Sequence, residues 1–238
     1  MAEIITRGYL VARQDYDVFD EILTFINEYG NRFIMFAPGT KRITSKNARA
    51  LFFGNFLEIQ FFYARNDTKL SKLKKVISLD QIDYKYENTY SMLILSELMT
   101  KVVNFNVEFY QFYQLILEYI ILEYNDYYIS CFLLVKFLIM NGVNFNFQAC
   151  VHCNSSKNIK TFSLADHGLI CINCESKIIN KIDYEPKALQ LWQKLYFATQ
   201  IKKDEDKDNE IIYKGLLKIL NSVLYDQLGI YLTIIKNI

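Results

Sequence analysis

Through the first eighty residues the apolar and polar positions follow a period of two. Leu57, Ile59, Phe61 and Tyr63 alternate with Glu58, Gln60 and Phe62, the pattern of a half-buried strand. Arg32 to Ala37 reads as a second strand, entered through Tyr29-Gly30 and left through Pro38-Gly39, both turn signals. Tyr9 to Arg13 and Phe19 to Ile26 are two more, parted by the polar Gln14-Asp15-Tyr16-Asp17. A fifth lies near Leu70 to Leu79, joined to the Leu57 strand through Arg65-Asn66-Asp67-Thr68. Five short strands in so little chain predict a small closed barrel, since closure removes exposed edges; an open sheet packed on helices is the competing form.

After Asp80 the period lengthens. Tyr90, Leu93, Ile94, Leu98 and Val102 share one helical face. Phe109 to Glu123 and Tyr127 to Met140 are strongly apolar helices, broken at Asn125-Asp126 and Asn141-Gly142, and their apolarity predicts a buried position in a bundle. A cysteine-bearing segment follows. Pro186 then opens a helix over Ala188 to Thr199, because a first helical turn tolerates proline. Lys202 to Glu210 is a mixed-charge linker, and Ile212, Leu216, Ile219, Leu220 and Val223 mark a last amphipathic helix. The expected organisation is α+β, with residues 1–80 as a barrel and 81–238 as a helical domain whose cysteine element spans 148–178.

Composition sharpens this picture. The 238 residues are 52% hydrophobic and 22% charged, which excludes a disordered chain. The net charge of +1 conceals a strong asymmetry. In residues 31–79, Arg32, Lys41, Arg42, Lys46, Arg49, Arg65, Lys69, Lys72, Lys74 and Lys75 face only Glu58 and Asp67. Residues 81–149 have the opposite bias, with seven acids against three bases. A basic first third and an acidic middle suggest different partners for different parts. No export signal is expected from the opening residues, and the longest apolar stretch, Ile129 to Met140, is too short to span a bilayer.

Four of the five cysteines form two pairs, Cys150-x-x-Cys153 and Cys171-x-x-Cys174, with seventeen residues between them. Each C-x-x-C turn presents two thiolates to one ion, and a short loop brings the second pair to complete a tetrahedron. One Zn2+ is expected here, and it is expected to be structural, since four thiolates leave no open position for water. His152 and His167 lie within the loop as alternative ligands. Cys131 reads as a small buried hydrophobe.

The basic residues suggest a polyanion surface. Lys41, Arg42, Lys46 and Arg49 follow the Pro38-Gly39 turn as one patch; Lys69, Lys72, Lys74 and Lys75 surround the last hairpin as another. Phe52, Phe53, Phe56 and Phe62 lie between them, the first three expected in the core. The sequence has no glycine-rich phosphate loop, no G-x-S-x-G and no H-E-x-x-H. Asp15, Asp17, Asp20 and Glu21 read as a solvated turn or cap rather than a metal-dependent nuclease site.

In order, these parts resemble the bacterial DNA repair protein RecO family. Gly8-Tyr9-Leu10-Val11-Ala12-Arg13, Asp20 to Phe25, Glu28-Tyr29-Gly30-Asn31-Arg32 and Ala37-Pro38-Gly39-Thr40-Lys41-Arg42 are similar to its first strands and basic turn. Asn144 to Cys153, Phe162-Ser163 and Gly168-Leu169-Ile170-Cys171 resemble its zinc-bearing element, and Leu216 through Leu232 its last helices. The resemblance implies an OB-fold that binds single- and double-stranded DNA and anneals complementary strands. It implies cooperation with RecR to load RecA on gaps coated by single-strand-binding protein, in the bacterial cytoplasm at the nucleoid. Here Arg32, Lys41, Arg42, Lys46, Arg49, Lys69, Lys72, Lys74 and Lys75 would hold DNA, without catalysis. The alternative is a zinc-stabilised helical scaffold for protein partners, with incidental DNA binding; a nuclease is a third.

Overall fold

The computed structural model describes residues 2–64, 69–102, 104–176, 186–203 and 210–237. The expected turn at Arg65 to Thr68, most of the charged linker and the last residues of the cysteine element lie outside them. The chain divides into two compact units, Met1–Glu123 and Tyr124–Ile238.

The first unit contains the barrel. Its strands are β1 (Glu3–Asp15), β2 (Glu21–Asn27), β3 (Arg32–Ala37), β4 (Phe56–Phe62) and β5 (Ser71–Asp80), closed in the order β1-β2-β3-β5-β4. β1 is long because it is shared: its first half pairs with β4 and its second with β2. A bulge between Leu10 and Ala12 lets it bend between them. Closure depends on a short parallel contact, Met35 with Ser71 and Phe36 with Lys72. Alternation then sends Leu10, Leu23, Phe25, Met35, Leu57, Ile59, Phe61, Leu73 and Val76 inward as one core. Gly8 is required at the crossing of β1 and β2, where a Cβ would lie 1.9 Å from the Ile26 carbonyl oxygen.

Two helices complete this unit, α1 (Tyr90–Lys101) and α2 (Val107–Ile121). Thr89 caps the first, accepting from the Met92 N–H, and Asn106 caps the second, accepting from the Phe109 N–H. Arg32 terminates α1. Its Nη1 donates to the carbonyls of Met99 (3.3 Å), Thr100 (2.9 Å) and Val102 (2.6 Å), where the helix dipole favours a cation.

The second unit is built on α3 (Asp126–Met140), capped by Asn125 and packed by α5 (Pro186–Phe197) and α6 (Glu210–Leu228). Cys131 is buried on α3, its thiol donating to the Tyr213 carbonyl at 3.4 Å. The cysteine segment adds a small sheet to this helical unit: β6 (Asn146–Cys150), β7 (Ile159–Ser163) and β8 (Gly168–Cys171), in the order β6-β8-β7, followed by the single turn α4 (Ile172–Glu175). Trp192 is fully buried against Phe145, Phe147 and Phe162 and ties α5 to this sheet.

Candidate nucleic-acid interface and metal centre

The connection from β3 to β4, residues 38–55, carries the first cationic patch and is held from two sides. On one side the β1–β2 turn grips it. Gly39 N–H donates to Asp20 Oδ1 (2.8 Å), Lys41 N–H to the Phe19 carbonyl (3.1 Å), and Lys41 Nζ pairs with Asp15 (3.0 Å). The Arg42 guanidinium stands 5.0 Å from the centre of the Phe19 ring. On the other side Asn47 fastens the loop to β5: its Oδ1 accepts from the Val76 N–H (3.1 Å) and its Nδ2 donates to the Lys74 carbonyl (3.4 Å). Asn47 neighbours Lys46, and its partners flank Lys75. The clip therefore fastens the loop that carries the first patch to the strand that carries most of the second.

Lys72, Lys74 and Lys75 are all exposed, although neighbours on a strand ordinarily face opposite ways. The β4–β5 register shifts between Gln60–Lys75 and Phe61–Leu73, and that irregularity turns both Lys74 and Lys75 outward. Lys74 pairs with Glu3 (2.8 Å) and lies 5.7 Å from the centre of the Phe62 ring. Lys46, Arg49, Lys69, Lys72 and Lys75 are exposed and form no ion pair or hydrogen bond with any described residue. Arg32 is the exception among the nine: it is occupied as the brace of α1. Phe62 is half-buried beside Lys74, Phe53 packs on the barrel core, and Phe52 and Phe56 meet Tyr84 and Tyr9 edge-on or tilted.

Asp15 and Asp17 are exposed at the β1–β2 turn, the solvated turn expected of them; Glu21 differs. Glu21 is 3% exposed and takes a two-pronged contact from Arg13, Nε at 2.9 Å and Nη2 at 3.0 Å, while Arg13 Nη1 reaches the Leu51 carbonyl. Burial raises the Glu21 pKa, but the hydrogen bonds from Arg13 and Thr40 and the Arg13 charge bring it below the usual carboxylate value. Asp15, Asp17 and Asp20 are engaged with Lys41, the Val18 N–H and the Gly39 N–H.

In the second unit Cys150, Cys153, Cys171 and Cys174 converge, with all four Sγ atoms within 4.8 Å of one another and Cys153 Sγ 3.5 Å from Cys171 Sγ. A tetrahedral ion with sulfur ligands at about 2.3 Å sets the sulfurs about 3.8 Å apart, so the cluster fits such an ion. Each pair is shaped by a local turn. The first closes through Asn154 N–H to the Cys150 carbonyl (2.8 Å) with Asn154 at φ 59°; the second sits at the start of α4. Burial raises the Cys150 thiol, but backbone N–H groups of Cys171, His152 and Cys153 bring it down to about 6. Burial and the other three thiols push Cys174 up to about 12. Four thiols this close ionise together only around a cation. The histidines are turned elsewhere: His152 Nε2 meets Asp166 at 3.3 Å, Asp166 also accepts from Ser163 (2.7 Å), and the His167 ring lies against Phe145.

A five-stranded OB-type barrel that carries exposed cations, in a chain whose second unit carries a four-cysteine metal-type cluster, defines the class of the protein by its architecture. A family model described as Recombination protein O C terminal matches residues 84–232, and the chain belongs to the RecO family of DNA repair proteins. The DNA repair protein RecO of Mesoplasma florum is 27% identical over 241 residues, 97% of this chain and 88% of that one. That of Mycoplasma capricolum is 26% identical over 243 residues, covering 95% and 93%. That of Bacillus pumilus is 24% identical over 203 residues, covering 82% and 77%. No helix of the described residues is long and apolar enough to cross a membrane.

Proposed function

We propose that this protein is a non-enzymatic recombination mediator that holds DNA by its phosphates on the cationic barrel face. Lys41, Arg42, Lys46, Arg49, Lys69, Lys72, Lys74 and Lys75 are the contacts; Arg32, spent on the α1 carbonyls, braces the scaffold instead. The observation that carries this reading is the Asn47 clip, which fastens the loop to β5, with Lys46, Arg49, Lys72 and Lys75 on those two segments exposed and unpaired among the described residues. Phosphates attract such a surface whatever the sequence, so single- and double-stranded DNA both bind. Annealing follows without catalysis, since cations between two strands lower their mutual repulsion. Glu21, buried and held by Arg13, supports the non-enzymatic reading: its carboxylate is spent inside the barrel.

The cysteine cluster would hold one Zn2+ through Cys150, Cys153, Cys171 and Cys174, with a structural role because no ligand position is left for substrate. Residues 1–80 would act as the nucleic-acid module and 81–238 as the helical part, of which α1 and α2 belong to the barrel's compact unit. By family, the partners are RecR, single-strand-binding protein and, indirectly, RecA, at the bacterial nucleoid in the cytoplasm. Fluorescence anisotropy of labelled single strands and duplexes at two salt concentrations tests the core of this reading, followed by an annealing assay. Tight, salt-sensitive binding to both is expected; indifference to oligonucleotides in dilute buffer refutes it.

A further inference from the structure

We propose that a groove between β6 and α5 in the cysteine-bearing unit takes one unpaired nucleobase from a DNA strand. The proposal rests on the DNA-binding reading above but concerns a separate site. The groove measures about 500 Å³, within the rough 300–1,000 Å³ of small-ligand sites. Period-two alternation builds it. Phe145 and Phe147 turn inward to form its floor, while Asn144, Asn146 and Gln148 turn outward along its rim. Tyr196 and Phe197, at the end of α5, supply the far wall, with ring centres 5.2 Å apart at 89°. His167, in the β7–β8 turn, closes one end with its ring 5.7 Å from that of Phe145.

The chemistry of this lining selects the ligand. No Lys, Arg, Asp or Glu lines the groove, so a phosphate would find no cation there and an ammonium no carboxylate. What it offers is the exposed ring of Phe197, the half-buried rings of Tyr196 and His167, and carboxamides, over a floor of buried Phe145 and Phe147. Aromatic faces accept a flat ring, and a carboxamide presents a donor and an acceptor side by side, as the edges of bases do. Asn146 is spent on posture: its Oδ1 accepts from the Gln148 and Ala149 N–H groups (3.0 and 3.3 Å). The Gln148 carboxamide and the His167 ring nitrogens have no hydrogen-bond partner among the described residues. Asn144 donates from Nδ2 to the Gly142 carbonyl (3.3 Å), which leaves its own oxygen open. Phe197 is 54% exposed, so its ring is available for stacking.

The test uses the full chain with a single-stranded oligonucleotide carrying 5-iododeoxyuridine, irradiated and mapped by peptide mass. Adducts on Tyr196, Phe197 or His167 are expected. Phe197→Ala should weaken single-strand binding roughly fivefold to tenfold and leave duplex affinity and the salt slope unchanged. Gln148→Ala, at an exposed position with no packing role, should weaken it by a smaller factor. Circular dichroism confirms that both variants fold. Adducts confined to residues 1–123, with both variants binding like the parent, overturn the base site and leave the barrel reading intact. Failure of the parent itself to bind strands at low salt overturns both.

Discussion

Neutralising the free cations of the barrel should change how binding responds to salt. Of the eight cations assigned to phosphate, Lys41 and Lys74 are ion-paired with Asp15 and Glu3, which leaves six. Each single-strand phosphate contact contributes about 0.7 to the slope of log K against log salt, so the parent slope should be about −4. Raising salt from roughly 50 to 200 mM then weakens binding by about 300-fold. The variant with Lys46, Arg49, Lys72 and Lys75 all changed to Ala retains two contacts. Its slope should be about −1.4, and the same change in salt should cost it only about sevenfold. All four side chains are exposed and unpaired, so folding should be unaffected. Anisotropy titrations of a labelled strand across that salt range measure both slopes. Equal slopes for parent and variant would refute the assignment of phosphates to this face.

Arg32→Ala should leave three α1 carbonyls without their donor and lower stability by about 1–3 kcal/mol in urea unfolding, whereas Lys46→Ala should change it little. Glu21 has a folded pKa below its usual value, so its ion pair with Arg13 contributes fully above about pH 4.5 and is lost as pH falls through the lower folded value. Glu21→Gln should therefore destabilise the barrel at neutral pH and flatten its acid-unfolding profile between those limits. Metal analysis of protein purified under reducing conditions should find one zinc per chain, and chelation should first raise hydrogen exchange in residues 146–176; protein free of metal yet fully protected there would contradict the structural site.

Those elements whose cause is local were readable from the sequence. β3 runs from Arg32 to Ala37 as expected because turn residues bound it on both sides, and the C-x-x-C pairs needed only their own spacing. Thr89, Asn106 and Asn125 cap their helices by contacts within three residues, although the pattern located only the break at Asn125. Features set by distant partners were not readable. β1 begins at Glu3 because β4 pairs with a segment whose own alternation is weak. β2 begins at Glu21, two residues later than the pattern suggests, because Phe19 belongs to the turn beneath Arg42. Closure of the barrel rests on two residue pairs between β3 and β5. Arg32 carries the same charge as Arg49, and only the arrival of the α1 terminus makes one a brace and leaves the other free. Asn47, an unremarkable loop residue in sequence, fastens its loop to β5 through the backbone of residues 74 and 76.

Hydrogen exchange of the full chain with and without a single strand tests the phosphate surface most directly. Added protection is expected in residues 38–55 and 71–76, where the gripping cations are anchored. Unchanged exchange in both segments under saturating DNA would contradict it.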